Sequence, residues 1–373
     1  MSDHIYLATP HMSAEGYELE YIHDAFHKNW IAPLGENVNE FEKAMKAYIG
    51  SENAVALSAG TAALHLSLIC AGVGNGDKVF CQDLTFSASA NPITYVGAEP
   101  VFIDSECDTW NMDPVALEKA IKLYGIPKAV IVVHLYGNPA KMDEICEICN
   151  EYRIPLIEDA AEALGSVYHD KKCGTFGKFG VLSFNGNKII TTSGGGMLLC
   201  KEEADAKHAL KLATQAREPF PWYQHEEIGF NYRMSNISAG IGRGQMKVLA
   251  DRVEKKRAIY RRYEENLAGL PLTLQPMSDH TVSNCWLTSA LVDIGCSVFP
   301  MVIIDALASN DIESRPLWKP MHSQPVFSDA TYVTAGEESV SEDLFRRGLC
   351  LPSDTKMTMD DVDRVCEVIR SMF

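Results

Sequence analysis

The stretch "KAVIVVHLYGNPAKMDEICEICNEYRIPLIED" (128–159) reads as strand, helix, strand. Its first eight residues are a β-branched, apolar run, and "IPLIED" (154–159) is a second one ending in two acids. Between them, "AKMDEICEICNEY" repeats its apolar residues at helical spacing. Two apolar runs joined through a helix form a parallel pair, because a hairpin cannot connect parallel strands. Working outward, the same texture recurs in "AVALS" (54–58), "KVFC" (78–81), "PVFID" (100–104), "GVLSF" (180–184) and "GMLLC" (196–200). Helix-period stretches such as "TAALHLSLICAGV" and "DPVALEKAIKLY" lie between the earlier ones. The expected fold class is therefore α/β, a mostly parallel sheet with helices on both faces. Such sheets bind ligands beyond the carboxyl ends of their strands.

After residue 245 the texture changes. A long charged helix runs to about 266, followed by "LPLTLQP", the strand-like runs "NCWLTSALVDI" and "SVFPMVIID", and a closing helix "TMDDVDRVCEVIRSMF". This predicts a large domain over 11–245 and a smaller α+β domain over 246–373, with residues 1–10 packing on the second. The segment "REPFPWYQHEEIGFNYRMS" (217–235) carries many aromatics with little periodicity, the mark of a loop beside a site or an interface rather than a linker.

Composition bounds the function. The chain has 373 residues, 46% hydrophobic and 22% charged, as in an ordinary globular protein. A formal charge of -17 argues against a nucleic-acid partner, whose phosphates draw affinity from clustered Lys and Arg. The densest basic run, "EKKRAIYRRY" (254–263), has helical spacing and reads as a solvated helix face. The N-terminus lacks signal-peptide features and no apolar run reaches spanning length, so a cytoplasmic protein off the membrane is expected. Eleven scattered cysteines fit buried thiols rather than a disulfide framework. Cys146 and Cys149 have a motif-like spacing but no second ligand pair nearby, so no metal site is expected.

Three features carry chemistry. "VALSAGTAALHLSL" places Ser58, Gly60 and Thr61 between a strand and a helix, where free N–H groups can hold a phosphate or the residues merely cap the helix. "PLIEDAAEALGS" ends a strand in Glu158 and Asp159, and an acid there can pair with a protonated ring nitrogen or serve as a helix cap. "SFNGNKIITTSGGG" (183–196) places Lys188 in a turn after a further strand, either as a surface charge or as a Schiff-base amine. Taken together, a phosphate cradle, a strand-end acid and a turn lysine are the parts that pyridoxal phosphate needs.

The ordered stretches "SAGTAAL" (58–64), "DLTFSAS" (83–89), "IEDAAEALGS" (157–166), "SFNGNK" (183–188) and "GFNYRMS" (229–235) resemble the DegT/StrS family of pyridoxal-phosphate nucleotide-sugar aminotransferases. The likeness extends from "NWIAPLGENVNEFE" to "IESRPLWKPMH". It implies the type I aminotransferase fold, with a mixed, mostly parallel seven-stranded sheet, and a homodimer with shared active sites. It also implies Lys188 as the covalent cofactor anchor and Asp159 as the partner of the pyridine nitrogen. Phe86 would stack on the ring, while Gly60, Thr61 and Ser183 would hold the phosphate together with Asn231 from the other subunit. Glu162 stands where many relatives have Gln or His near the ring's phenolic oxygen. Asn185, Arg315, Trp318 and His322 are the substrate-facing candidates.

"TTSGGG" (191–196), where many relatives have a Glu before paired glycines, is similar, with "SRPLWKPMH" (314–322), to the branch acting on UDP-4-keto-6-deoxy-N-acetylglucosamine. That resemblance implies L-glutamate as donor, a UDP-linked 4-keto-6-deoxy sugar as acceptor, and a place in bacillosamine-type polysaccharide biosynthesis. A TDP- or GDP-linked keto sugar is the alternative substrate. A non-catalytic, cofactor-binding regulator is a rival of another class. The family's sugar dehydratases have His in place of the lysine, and a nicotinamide enzyme would show G-x-G-x-x-G after its first strand.

Overall fold

The structure, a computed structural model, describes residues 4–373. Its central sheet takes β1 (Asn53–Leu57), β2 (Lys78–Gln82), β3 (Glu99–Ile103), β4 (Ala129–Val133), β5 (Leu156–Asp159), β6 (Phe179–Ser183), β7 (Gly196–Cys200) and β8 (Thr331–Val333). Their order is β1-β7-β6-β5-β4-β2-β3-β8. β7 alone runs opposite to the other seven strands. All the other strands therefore end on one edge.

Every residue of β4 and β7 is buried, which is why these runs show no polar alternation. One face of the sheet packs the helix Gly60–Cys70, the other the helices Pro114–Tyr124 and Met142–Glu151. Asp113 caps the former of these two by accepting the Val115 N–H at 2.8 Å.

Eight strands rather than seven make the sheet. The eighth, "TYV", is too short and too irregularly bounded to be read as a strand, and it returns from beyond residue 245 to pair with β3. The stretch "SVFPMVIID" (297–305) also differs from its sequence expectation. Its β-branched run reads as a strand, yet Pro300–Ala308 is a helix. Pro300 sits in its first turn, where proline is preorganised, and burial of Ile303, Ile304 and Leu307 outweighs β propensity.

The helix Pro300–Ala308 joins Leu249–Leu267 and Met359–Arg370 around an antiparallel sheet of Leu272–Leu274, Thr288–Val292, Gly348–Leu351 and Arg315–Pro316. Of the N-terminal segment, residues 1–3 lie outside the described residues; Ile5 lies along this unit, its N–H donating to Asp311 O at 2.9 Å and its side chain buried in the core. The basic run is not wholly a solvated face. Lys256 is buried, and its Nζ donates to Trp286 O at 2.7 Å. Burial lowers its pKa to about 8. All eleven cysteines are free. No helix of the described residues is long and apolar enough to cross a membrane.

Candidate active site

Strand register builds the site. Leu57 of β1, Gly196 of β7 and Ser183 of β6 stand in one row at the edge where the parallel strands end. The helix Gly60–Cys70 begins just past this row. A Cβ on Gly196 would overlap the Ala59 carbonyl and the Gly60 amide nitrogen, and one on Gly60 would lie 3.2 Å from Ser183 Cβ. Glycine at both positions thus lets a helix N-terminus, with its free N–H groups, come against a serine hydroxyl.

Asp159 ends β5 on the same edge. Its Oδ2 accepts from Ser89 Oγ at 2.6 Å and its Oδ1 from the Ala161 N–H at 3.1 Å, so the carboxylate is fixed. Glu158, one residue earlier, points to the opposite face, as strand alternation requires. There it accepts the Gly174, Phe176 and Gly177 N–H groups at 2.7, 2.5 and 2.6 Å and lies 3.1 Å from His134. The strand-end pair therefore divides into one acid at the site and one that holds a loop.

Lys188 follows β6 in a turn closed by its N–H to Asn185 O at 3.1 Å. Its Nζ lies 3.7 Å from Glu162 Oε1 and 4.2 Å above the Trp286 ring. Glu162 Oε2 accepts the Tyr136 N–H at 2.7 Å. Burial drives the Glu162 carboxyl upward, Lys188 and the Tyr136 N–H only partly offset it, and its pKa is raised to about 7.

Gly60, Thr61, Ser183, Asp159, Glu162 and Lys188 open into one cavity of about 390 Å³. Phe86, Asn185, Arg315 and Trp318 also line it. A larger open groove of about 670 Å³, between the helix Leu249–Leu267 and the strand Leu272–Leu274, includes none of these residues.

Two candidates stand elsewhere. Asn231 is exposed and accepts from Gln215 Nε2 at 3.2 Å, outside the cavity of its own chain. His322, expected to face substrate, does not line the cavity. Its Nδ1 is 2.7 Å from Asp83 Oδ2 and its Nε2 3.1 Å from Glu342 Oε1, which commits both ring nitrogens.

Sequence reasoning missed Trp286, Tyr136 and Ser89. Trp286 lies in a run read only as a strand, and its indole is held by a hydrogen bond to Asn187 O at 2.7 Å. Ser89 was visible inside "DLTFSAS", but nothing in the sequence says that its hydroxyl reaches Asp159.

A fixed carboxylate, an amine in a turn and a helix N-terminus beside a serine fit pyridoxal phosphate, and the cavity has the size of a small-molecule site. The model of the DegT/DnrJ/EryC1/StrS aminotransferase family matches residues 13–370.

The chain belongs to that family.

Its cofactor is pyridoxal phosphate. EpsN of Bacillus subtilis (strain 168), provisionally named as a pyridoxal phosphate-dependent aminotransferase, is 54% identical over 379 residues, 100% of this chain and 97% of that protein. GDP-perosamine synthase of Caulobacter vibrioides is 37% identical over 98% of each chain. Among solved structures, the aminotransferase TlmJ of Streptoalloteichus hindustanus is similar with a TM-score of 0.90 at 29% identity, covering 99% of this chain and 98% of that one. The fold of this family member is accordingly the type I aminotransferase fold.

Proposed function

We propose that this family member transfers the amino group of L-glutamate to the 4-keto group of a UDP-linked 4-keto-6-deoxy-N-acetylhexose, leaving 2-oxoglutarate and a 4-amino sugar nucleotide. The observation that carries this reading is the convergence of Lys188 Nζ, the Asp159 carboxylate and the Gly60 helix N-terminus on one cavity. Bound pyridoxal phosphate supplies an aldehyde that accepts the amine and a ring that takes up the electron pair released at the donor's α-carbon.

The chain's own residues do the rest. Asp159, held by Ser89 and the Ala161 N–H, keeps a proton on the ring nitrogen. The Gly60 and Thr61 amides and the Ser183 hydroxyl hold the phosphate, joined by Asn231 of a second copy of the chain. Phe86, 56% exposed, is free to lie against the ring face. Lys188 would be the covalent anchor, and its amine, once released, would move the proton off and onto carbon in the two half-reactions. Arg315, exposed and lining the cavity, meets the donor carboxylate or the diphosphate, and Trp318 covers an apolar sugar face.

The choice of UDP rests on the stretches "TTSGGG" and "SRPLWKPMH". A GDP-linked 4-keto-6-deoxyhexose is the second reading, favoured by the likeness to GDP-perosamine synthase. The test is a panel of UDP-, GDP- and TDP-linked 4-keto-6-deoxy sugars offered with L-glutamate, with products identified by mass and NMR. The proposal expects amination of the UDP-linked N-acetyl sugar above the others. A preference for the GDP-linked sugar selects the second reading, and a panel with no aminated member removes both.

A further inference from the structure

His322 lies outside the cavity, at the centre of a network that the proposed chemistry leaves unused. Its side chain is 14% exposed and lies flat on Tyr332, with ring centroids 3.8 Å apart at 11°. Nδ1 faces Asp83 Oδ2, while Nε2 faces Glu342 Oε1 and, also at 3.1 Å, Ser323 Oγ. A neutral imidazole has one N–H and one lone pair, so a carboxylate on each nitrogen is satisfied only by the doubly protonated ring. Burial alone would lower the His322 pKa, but Asp83 and Glu342 raise it above the ordinary histidine value.

Asp83 is the fixed point of this network. Its buried carboxylate also accepts the His322 N–H at 2.8 Å and the Ser341 hydroxyl at 2.7 Å, and its carbonyl accepts the Met321 N–H at 3.0 Å. Behind it, Asp104 accepts the Val340 and Ser341 N–H groups, and the Tyr332 hydroxyl meets Ser339 and Ser341. The titratable groups around His322 are thus Asp83, Glu342, Asp104 and Tyr332.

Two cavity walls hang from this joint. Asp83 leads, three residues on, to Phe86, and His322 follows Trp318 by four residues. The Phe86 and Trp318 rings stand 5.6 Å apart and both line the cavity. Trp318 belongs to the segment returning from Arg315–Pro316 toward β8, which is also tied by the Trp318 N–H to the Tyr136 hydroxyl at 3.0 Å and the Leu317 N–H to Gly348 O at 3.2 Å.

We propose that His322, clamped as an imidazolium on Asp83, is a positioning residue that fixes the gap between Phe86 and Trp318 and so sets the grip on the acceptor sugar. This rests on the proposed transfer to a sugar nucleotide. When His322 loses its proton, one nitrogen turns a lone pair toward a carboxylate oxygen, and the Trp318 segment loosens. The amine-donor half-reaction shares Phe86 at the ring face but makes no use of Trp318, so it is the less affected of the two half-reactions.

The test uses the holoenzyme, wild type and His322→Gln, with the keto-sugar nucleotide that the wild type aminates best. Acceptor KM is measured at saturating L-glutamate as the pH is raised from 6.5, the ordinary histidine value, upward. The donor half-reaction is read separately, as the single-turnover change in the cofactor's visible band with L-glutamate alone. The wild-type acceptor KM should rise at least about fivefold with pH, whereas the variant should show a raised, flat KM and a donor rate within about twofold of wild type. A variant that keeps the wild-type pH dependence of KM overturns the proposal. So does an equal loss in both half-reactions, which marks general disruption. Should His322→Gln not fold, Glu342→Gln replaces it, and the KM rise should move to lower pH; an unmoved rise overturns the proposal. A wild type that completes the donor half-reaction but aminates no keto-sugar nucleotide refutes the proposed function, and the clamp falls with it.

Discussion

Glu162→Gln isolates the electrostatic cost of the site. Glu162 is 4% exposed and its pKa rises from 4.5 to about 7 through burial, despite Lys188 at 3.7 Å. That rise disfavours the buried carboxylate by about 3 kcal/mol. Between pH 4.5 and 7 the folded protein keeps a proton that the unfolded chain releases. Stability contributed by Glu162 is therefore full below pH 4.5, falls as pH rises, and is lost once pH passes about 7. Glutamine keeps the shape and an acceptor for the Tyr136 N–H but cannot ionise. The difference in stability between Glu162→Gln and wild type, both stripped of cofactor, should grow in favour of the variant by about 2 kcal/mol from pH 5.5 to pH 8. Urea unfolding of the two proteins at equal concentration measures it, because pH effects elsewhere in the chain cancel in the difference. A difference that stays constant, or that moves toward wild type at pH 8, would refute the reasoning, since it would mean that Glu162 is ionised at little cost beside Lys188.

Other substitutions probe the remaining parts. Lys188→Ala should lower turnover by roughly 10⁴-fold or more while far-UV circular dichroism stays that of wild type; an active alanine variant contradicts its role. Asp159→Ala should bind cofactor weakly and lose roughly 10²–10³-fold in kcat, and a near wild-type rate would remove the ring-nitrogen role. The first and last glycines of "TTSGGG", Gly194 and Gly196, should differ in thermal unfolding when replaced by alanine. Gly196→Ala pushes a Cβ into the backbone of Ala59 and Gly60 and should cost about 3 kcal/mol. Gly194→Ala, whose Cβ would meet nothing nearer than Ser58 O at 3.9 Å, should stay within about 0.5 kcal/mol. Equal effects at the two positions would show that Gly196 does not serve the close approach of helix and strand.

The sheet was legible because its strands are continuous β-branched runs bounded by turn residues, and burial on both faces removes the polar alternation that would blur them. What escaped were elements fixed by tertiary context. "TYV" becomes a strand only because β3 offers an open edge, and "PMVIID" becomes a helix because its apolar side packs on Met359–Arg370. At the site, Asp159 and Lys188 were visible as strand-end and turn residues. Trp286 under Lys188, and Ser89 beside Asp159, were not, because contacts between residues 98 and 70 positions apart leave no periodic mark. His322 shows the converse. Its neighbourhood in sequence pointed to substrate, while Asp83, 239 positions away, holds it outside the cavity.

The central claim is that the glutamate nitrogen reaches a sugar through the bound cofactor, with Lys188 moving the protons. Holoenzyme incubated with ¹⁵N-labelled L-glutamate and UDP-linked 4-keto-6-deoxy-N-acetylhexose should yield a sugar nucleotide bearing ¹⁵N at carbon 4, with 2-oxoglutarate formed in equal amount. Unaltered sugar in the presence of bound cofactor and consumed glutamate would contradict it.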